Sequence, residues 1–313
     1  EKVENELNKD LFDFDLEETK IFLKSLRSKS IKSITTRKSM IVMYRKWAFQ
    51  QKLPQNIYIT KAIEKLEPKQ LINVIAEKNK YITKEELYTW TMEMPNIRDS
   101  VILLLLWLGI KGSKFKEIKY LKEKDIDLKN RIIKLKNREI EVDNFTIEMI
   151  NNCINTDDYL CFTKNFDIRV NPLAESEYLI KNVIIKKKDE ENFYGQPISE
   201  QTIQRVVREN KHLIDNDYVN VTTLYKSGQY YRFEKKYGEQ AEYIIRKMKD
   251  SKNQRIEKND LDFVRIFLEN DEKEELKSEA KENTFFHNYM RYFDAMKKNK
   301  MEEVAFESIL NKS

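Results

Sequence analysis

The sequence predicts a mainly α-helical protein with a small β-sheet, a helical N-terminal domain followed by an α+β domain. Three observations carry this. Only five glycines and five prolines punctuate 313 residues, which favours helices and short connections. Asp15-Leu16-Glu17-Glu18 and Thr83-Lys84-Glu85-Glu86 are capping boxes, each ahead of a helical segment. The β-branched segments Arg131–Leu135 and Arg138–Val142 flank Lys136-Asn137 as the arms of a hairpin. The expected boundaries are a helical domain over 1–80, an α+β domain over 81–270 and a helical C-terminal segment over 271–313.

Taken in order, the first helix carries Ile21, Phe22, Leu23 and Leu26. A second starts after Ser33, and the i, i+3, i+4, i+7 pattern assigns its inward face to Met40, Met43, Tyr44 and Trp47. Pro54 closes it. A short helix near Thr60–Leu66 follows, and Pro68 opens another with Leu71, Ile72 and Ile75 inward. Asn79–Ile82 reads as a short polar linker before the helix over 83–94. Val101–Ile110 is the most apolar run of the chain. It is too short for a bilayer, which needs about 20 residues, so it reads as a helix buried on all sides. A glycine-marked turn at Gly112 leads into a second helix that stops at Asp125-Ile126-Asp127, and the hairpin follows. Phe145–Ile154 is a helix, and Cys161-Phe162 begins a strand-like piece. The irregular stretch over 165–197 holds a charge run, Lys186-Lys187-Lys188 followed by Asp189-Glu190-Glu191, expected in a solvated loop. Ser199 caps a helix with Ile203, Val206 and Val207 inward and Gln201, Gln204, Arg205 and Arg208 outward. Further helices carry Ala241, Ile244, Ile245 and Met248, then Leu261 to Leu268. A last one crowds together Phe285, Phe286, Tyr289, Met290, Tyr292, Phe293 and Met296. That aromatic face suits either packing on its own domain or exchange with a second copy.

Composition excludes several classes. Two cysteines, Cys153 and Cys161, make no disulfide framework and no metal-ligand spacing, and read as buried, reduced thiols. His212 and His287 are the only histidines and take no role. No cofactor or metal is expected, no signal peptide or membrane span is found, and residence in the cytoplasm is the default. A net charge of +5 is too modest to argue for nucleic acid by itself.

Gly112, Glu117, Ile118, Leu121, Asp125, Ile126 and Asp127 fall without a gap into a known register. It resembles the first conserved box of the tyrosine recombinases, the phage integrase family, with Lys114 where the family has an arginine. Phe22-Leu23, Leu26, Ser33, Thr36, Tyr44 and Trp47 are similar in spacing to the family's core-binding domain. Thr222-Thr223-Leu224-Tyr225-Lys226 is similar to the second box, with both histidines and the arginine replaced. The segment Met248–Leu261, where the family's tyrosine nucleophile would lie, contains no tyrosine. The resemblance implies a core-binding domain joined to a recombinase-like domain that has lost cleavage, since lysine lacks arginine's planar fork.

The same resemblance implies a partner, double-stranded DNA. Lys114, Lys136 and Lys226 would grip phosphate, with Thr222 as hydroxyl donor, and Lys134 competes with Lys136 for the hairpin position. Arg37 and Lys38, beside Thr36 and Ser39 at a helix start, suit a phosphate or simply solvent. Gln204, Arg205 and Arg208 suit base edges, or an ordinary amphipathic helix. The pattern of losses resembles the master repressors of SPβ-like prophages, which implies operator binding without cutting. Two alternatives stay open: an active recombinase using Tyr225, Tyr230 or Tyr231, and a module that binds a protein partner.

Overall fold

The structure is a computed structural model. It describes residues 2–26, 31–53, 57–71, 80–162, 167–186, 191–214, 216, 218–250, 258–272 and 279–310. The chain divides into two compact units, Glu1–Asn79 and Lys80–Ser313.

The first unit contains α1 (Lys2–Leu7), α2 (Leu16–Ser25), α3 (Ile31–Gln50) and α4 (Ile57–Lys65). The expected capping box opens α2: Asp15 Oδ1 accepts from the Glu18 N–H at 2.8 Å, and Glu18 Oε2 accepts from the Asp15 N–H at 2.9 Å. Leu23, Ile34, Ile41 and Leu71 form the core. The inward face assigned to α3 is corrected. Met40, Met43 and Trp47 are 63%, 69% and 51% exposed, while Ile34, Ile41, Arg45 and Ala48 are buried. Both stripes obey the helical period, so period alone does not choose between them. The side that wins is anchored by the buried Arg45. Its guanidinium donates to Leu11 O at 3.2 Å, to Phe14 O at 2.8 Å and to Thr60 Oγ1 at 3.1 Å. Pro68–Leu71 is a 3-10 turn that buries Leu71; Pro54, Ile72 and Ile75 lie outside the described residues.

The second unit is organised around a buried helix. α5 (Lys84–Glu93) starts at the second expected capping box, Thr83 with Glu86. α6 (Ile97–Trp107) is buried at every residue from Arg98 to Trp107. Two of those residues are charged and satisfy each other: Arg98 Nε and Nη2 donate to Asp99 Oδ1 at 2.9 and 2.6 Å. The Tyr159 hydroxyl donates to Asp99 Oδ2 at 2.8 Å, so neither of these two buried charges on α6 is left unpaired. Tyr81 and Ile82, read as linker, are buried.

The second helix expected after α6 is corrected to a series of turns. Ser113–Phe115 and Glu123–Asp125 are 3-10, and only α7 (Lys116–Lys119) is α-helical. Lys114 and Phe115 have φ of 51° and 59°, left-handed values that no right-handed helix accommodates. Asp125-Ile126-Asp127 ends in a strand instead. β1 (Ile126–Asp127) pairs with β2 (Ile132–Lys134), which pairs with β3 (Glu139–Glu141), all antiparallel, with Ile133 opposite both Ile126 and Ile140. α8 (Asn144–Ile154) packs on α6. The strand at Cys161 belongs to a hairpin of β4 (Asp158–Phe162) and β5 (Ile168–Pro172). Burial pushes the Cys153 thiol up to about 12, as suits an inert core cysteine, whereas Cys161 is half-buried. Of the charge run, only Lys186 and Glu191 are described, both exposed.

α9 (Glu200–Asn210) buries Ile203, Val206 and Val207 as expected, and its end is pinned by Trp90 Nε1 donating to Asn210 O at 2.8 Å. α10 (Val221–Asp250), α11 (Asp262–Glu272) and α12 (Glu279–Leu310) complete the unit. Phe233, Phe267, Phe285 and Tyr289 meet in a second core. The aromatic face of α12 is thus used within its own chain. α10 crosses the end of α6 at Gly228, where a Cβ would lie 1.9 Å from Trp107 O. The obstacle is backbone, so Gly228→Ala is expected to cost about 3 kcal/mol, the upper part of the overpacking range. A lowered urea midpoint checks this; an unchanged midpoint would contradict the close crossing.

Candidate nucleic-acid interface

A cleft of about 420 Å³ opens in the second unit where the end of α6, the turn after it, the β2–β3 loop, the start of α10 and the end of α11 converge. Two glycines shape its floor. Gly112 has φ of 63°, and its turn brings Glu117 back to accept from the Lys111 N–H at 2.9 Å. Gly109 lies flat against Arg232: a Cβ there would sit 2.5 Å from the guanidinium.

Thr222 and Lys226 line this cleft, as the sequence led us to expect. Lys114 and Lys136 do not. They are exposed, Lys114 on the left-handed turn and Lys136 in the hairpin loop, and Lys134 is exposed on β2. Lys111 and Arg138 face the cleft instead.

The cations here are held by specific partners. Arg138 forms a two-pronged pair with Glu117, with Nη1–Oε1 and Nη2–Oε2 both at 2.9 Å, and also donates to Gly109 O at 3.0 Å. Lys226 Nζ donates to Gln229 Oε1 at 2.5 Å, and Gln229 Nε2 donates to Asp271 Oδ2 at 2.9 Å. Arg232 donates through Nε to Asp271 Oδ1 at 3.0 Å, through Nη2 to Oδ2 at 3.2 Å, and through Nη1 to Trp107 O. Lys111 Nζ sits 5.2 Å from the Tyr225 ring centroid, and Lys226 Nζ 5.7 Å from it. Both arginine forks are therefore closed by carboxylates, and the two lysines flank an aromatic ring. Arg232 was missed in the sequence although it stands on the α10 face of Tyr225 and Gln229, at helical spacing.

Among the described residues, Tyr225 is the one tyrosine lining the cleft. Tyr230 is 2% exposed within the second core. Burial, and then Tyr81 beside it, push its phenol well above the usual tyrosine range. Tyr231 packs against Trp107, ring centroids 5.8 Å apart.

On α9, Gln204, Arg205 and Arg208 are all exposed. Gln204 Nε2 donates to Glu200 at 3.1 Å, and Arg205 and Arg208 approach Glu209 at 3.9 and 3.4 Å. In the first unit, Arg37 and Lys38 are engaged at helix C-terminal ends. Arg37 Nη1 donates to Leu26 O at 2.5 Å, and Lys38 Nζ donates to Glu64 O and Leu66 O, both at 2.8 Å. Cations there complement the helix dipoles. The outward face of α3 instead presents Thr36, Ser39, Met40, Met43 and Trp47. The helix contains no acidic residue. Trp47 is held by stacking on Tyr44, whose hydroxyl donates to Asp10 at 2.8 Å. Among the described residues no cluster of His, Cys, Asp and Glu suits a metal, and no helix is long and apolar enough to cross a membrane.

Residues 81–259 match the family described as "MrpR, C-terminal catalytic domain", and residues 1–50 match "MrpR, N-terminal core-binding domain". A curated relative, the SPbeta prophage-derived uncharacterized protein YopR of Bacillus subtilis (strain 168), is 25% identical over 120 residues. That match covers 38% of this chain and 36% of the relative, so the chain spans about a third of the relative's length. With the catalytic-type match alone covering more than half of its length, the chain belongs to the MrpR family, with tyrosine recombinase-like core-binding and catalytic domains.

Proposed function

We propose that this chain is a sequence-specific double-stranded DNA-binding repressor of a temperate phage, acting at the host chromosome in the cytoplasm and gripping DNA without cutting it. The observation that carries this reading is the state of the cleft. Lys111 and Lys226 line it, while Arg138 in its wall and Arg232, which is paired with the lining Asp271, are each closed by a carboxylate. Phosphoryl transfer of the recombinase type needs open forks on the transition-state oxygens, and one lost donor costs roughly 10²–10³ in rate. Lysine, in contrast, holds a ground-state phosphate well as a point charge. The prophage origin of the relative supports the phage setting.

In this reading Lys111 and Lys226 contact phosphate within the cleft, Thr222 donates a hydroxyl, and the exposed Lys114 and Lys136 reach phosphates at its rim. Gln204, Arg205 and Arg208 read base edges from α9. The acid-free outward face of α3 suits the electronegative major groove, where Met40, Met43 and Trp47 meet thymine methyls. Arg37 and Lys38, tied to helix ends, fix that face rather than touch DNA.

A second reading, residual strand cleavage, is favoured by one observation: Tyr225 lines the cleft between two lysines. A nicked suicide duplex settles it. The repressor reading expects no covalent adduct, and an adduct lost in Tyr225→Phe would make the protein a recombinase.

Lys111→Ala with Lys226→Ala is expected to weaken operator and unrelated DNA alike and to reduce the salt slope by about 2, near 0.9 per phosphate. Gln204→Ala or Arg205→Ala is expected to lose about 1–3 kcal/mol on the operator only. Quantitative gel shifts at several salt concentrations separate the two patterns; a slope unmoved by the lysine pair would contradict the clamp.

A further inference from the structure

We propose that Asp271 is a resident anion of the cleft, a carboxylate brought in by α11 that competes with the DNA phosphate for Arg232. The inference rests on the DNA-clamp reading above and adds its regulation.

The geometry is that of an occupied anion site. Asp271 accepts from three donors on α10: Arg232 Nε at 3.0 Å, Arg232 Nη2 at 3.2 Å and Gln229 Nε2 at 2.9 Å. Its side chain is 12% exposed, and it lines the cleft. The guanidinium is fixed from the other side. Its Nη1 donates to Trp107 O, and Gly109 packs against its Nη2. Arg232 is thus held in place, and the carboxylate is the replaceable partner. A phosphodiester presents its two free oxygens to the same fork that a carboxylate uses.

The contact also reaches Lys226, because the glutamine that holds Asp271 through Nε2 receives the lysine through Oε1. Lys226 lies 5.8 Å from the ring centroid of Phe285 on α12. In the closed arrangement Asp271 fills the fork, and Gln229 holds the lysine beside it. When Asp271 withdraws, Arg232 takes a phosphate oxygen, and whatever positions α11 and α12 sets the affinity for DNA. Apparent affinity then falls by the fraction of molecules that are closed.

The test is the full chain with Asp271→Asn, and Asp271→Ser as a second neutral variant should the first not fold. Circular dichroism checks the fold, and affinity for an unrelated duplex is measured across a salt series. The expected result is binding tighter by roughly 5–10-fold, the low end of couplings between sites. The salt slope should steepen by about 1, for one more phosphate neutralised. Arg232→Met in the Asp271→Asn background should abolish that gain. A folded neutral variant that binds no tighter than wild type, whether or not its thermal midpoint falls, would make Asp271 a brace between helices and overturn the inference alone. Wild-type protein with no salt-dependent affinity for any duplex would overturn the DNA reading and this inference together.

Discussion

Helix α10 crosses the end of α6 at Gly228 with no side chain between them, and the cleft exists because of that contact. α6 is buried along its length, so it fixes where its last carbonyls point. The Trp107 carbonyl meets Gly228 on one side and accepts from Arg232 on the other. α10 is thereby set so that Thr222, Tyr225 and Lys226 stand opposite the Gly109–Glu117 turn. A larger residue at Gly228 would push apart the two walls at once, which ties stability and site geometry to one atom-to-atom distance.

The second consequence is electrostatic. A chain with a net charge of +5 has little long-range pull on DNA, so affinity must come from cations placed at short range. At the cleft two arginines are neutralised by carboxylates that line it, Arg138 by Glu117 and Arg232 by Asp271. Such pairs keep partly buried guanidinium groups from being left uncompensated when no phosphate is present. In the function proposed above, they also remove the open forks that cleavage would require. In that reading one arrangement serves both the stability of the cleft and the restraint of its chemistry.

Much of this was legible in the sequence where one local rule dominates. The buried α6, the capping boxes of α2 and α5, the inward face of α9 and the hairpin over β2 and β3 each follow from pattern or turn chemistry. The failures have equally local causes. α3 is apolar on both sides and carries no acid, so its exposed stripe of Met40, Met43 and Trp47 has the same period as its buried one. The turns after Gly112 depend on Lys114 and Phe115 adopting positive φ, which no propensity announces. Lys111 rather than Lys114 lines the cleft, and in the hairpin Arg138 rather than Lys136 does. Thr222 and Lys226 line the same cleft because they lie one turn apart on a regular helix. Arg232 and Asp271 come together only through tertiary structure.

In the proposed function the protein recognises a DNA element and leaves it intact. Selection of bound fragments from a prophage-bearing genome, with the recovered strands examined for breaks, decides between this and cleavage. Recovery of one recurrent short element at many loci, with both strands continuous, is the predicted result. A single locus recovered with a strand break, or no enrichment over random fragments, would contradict it.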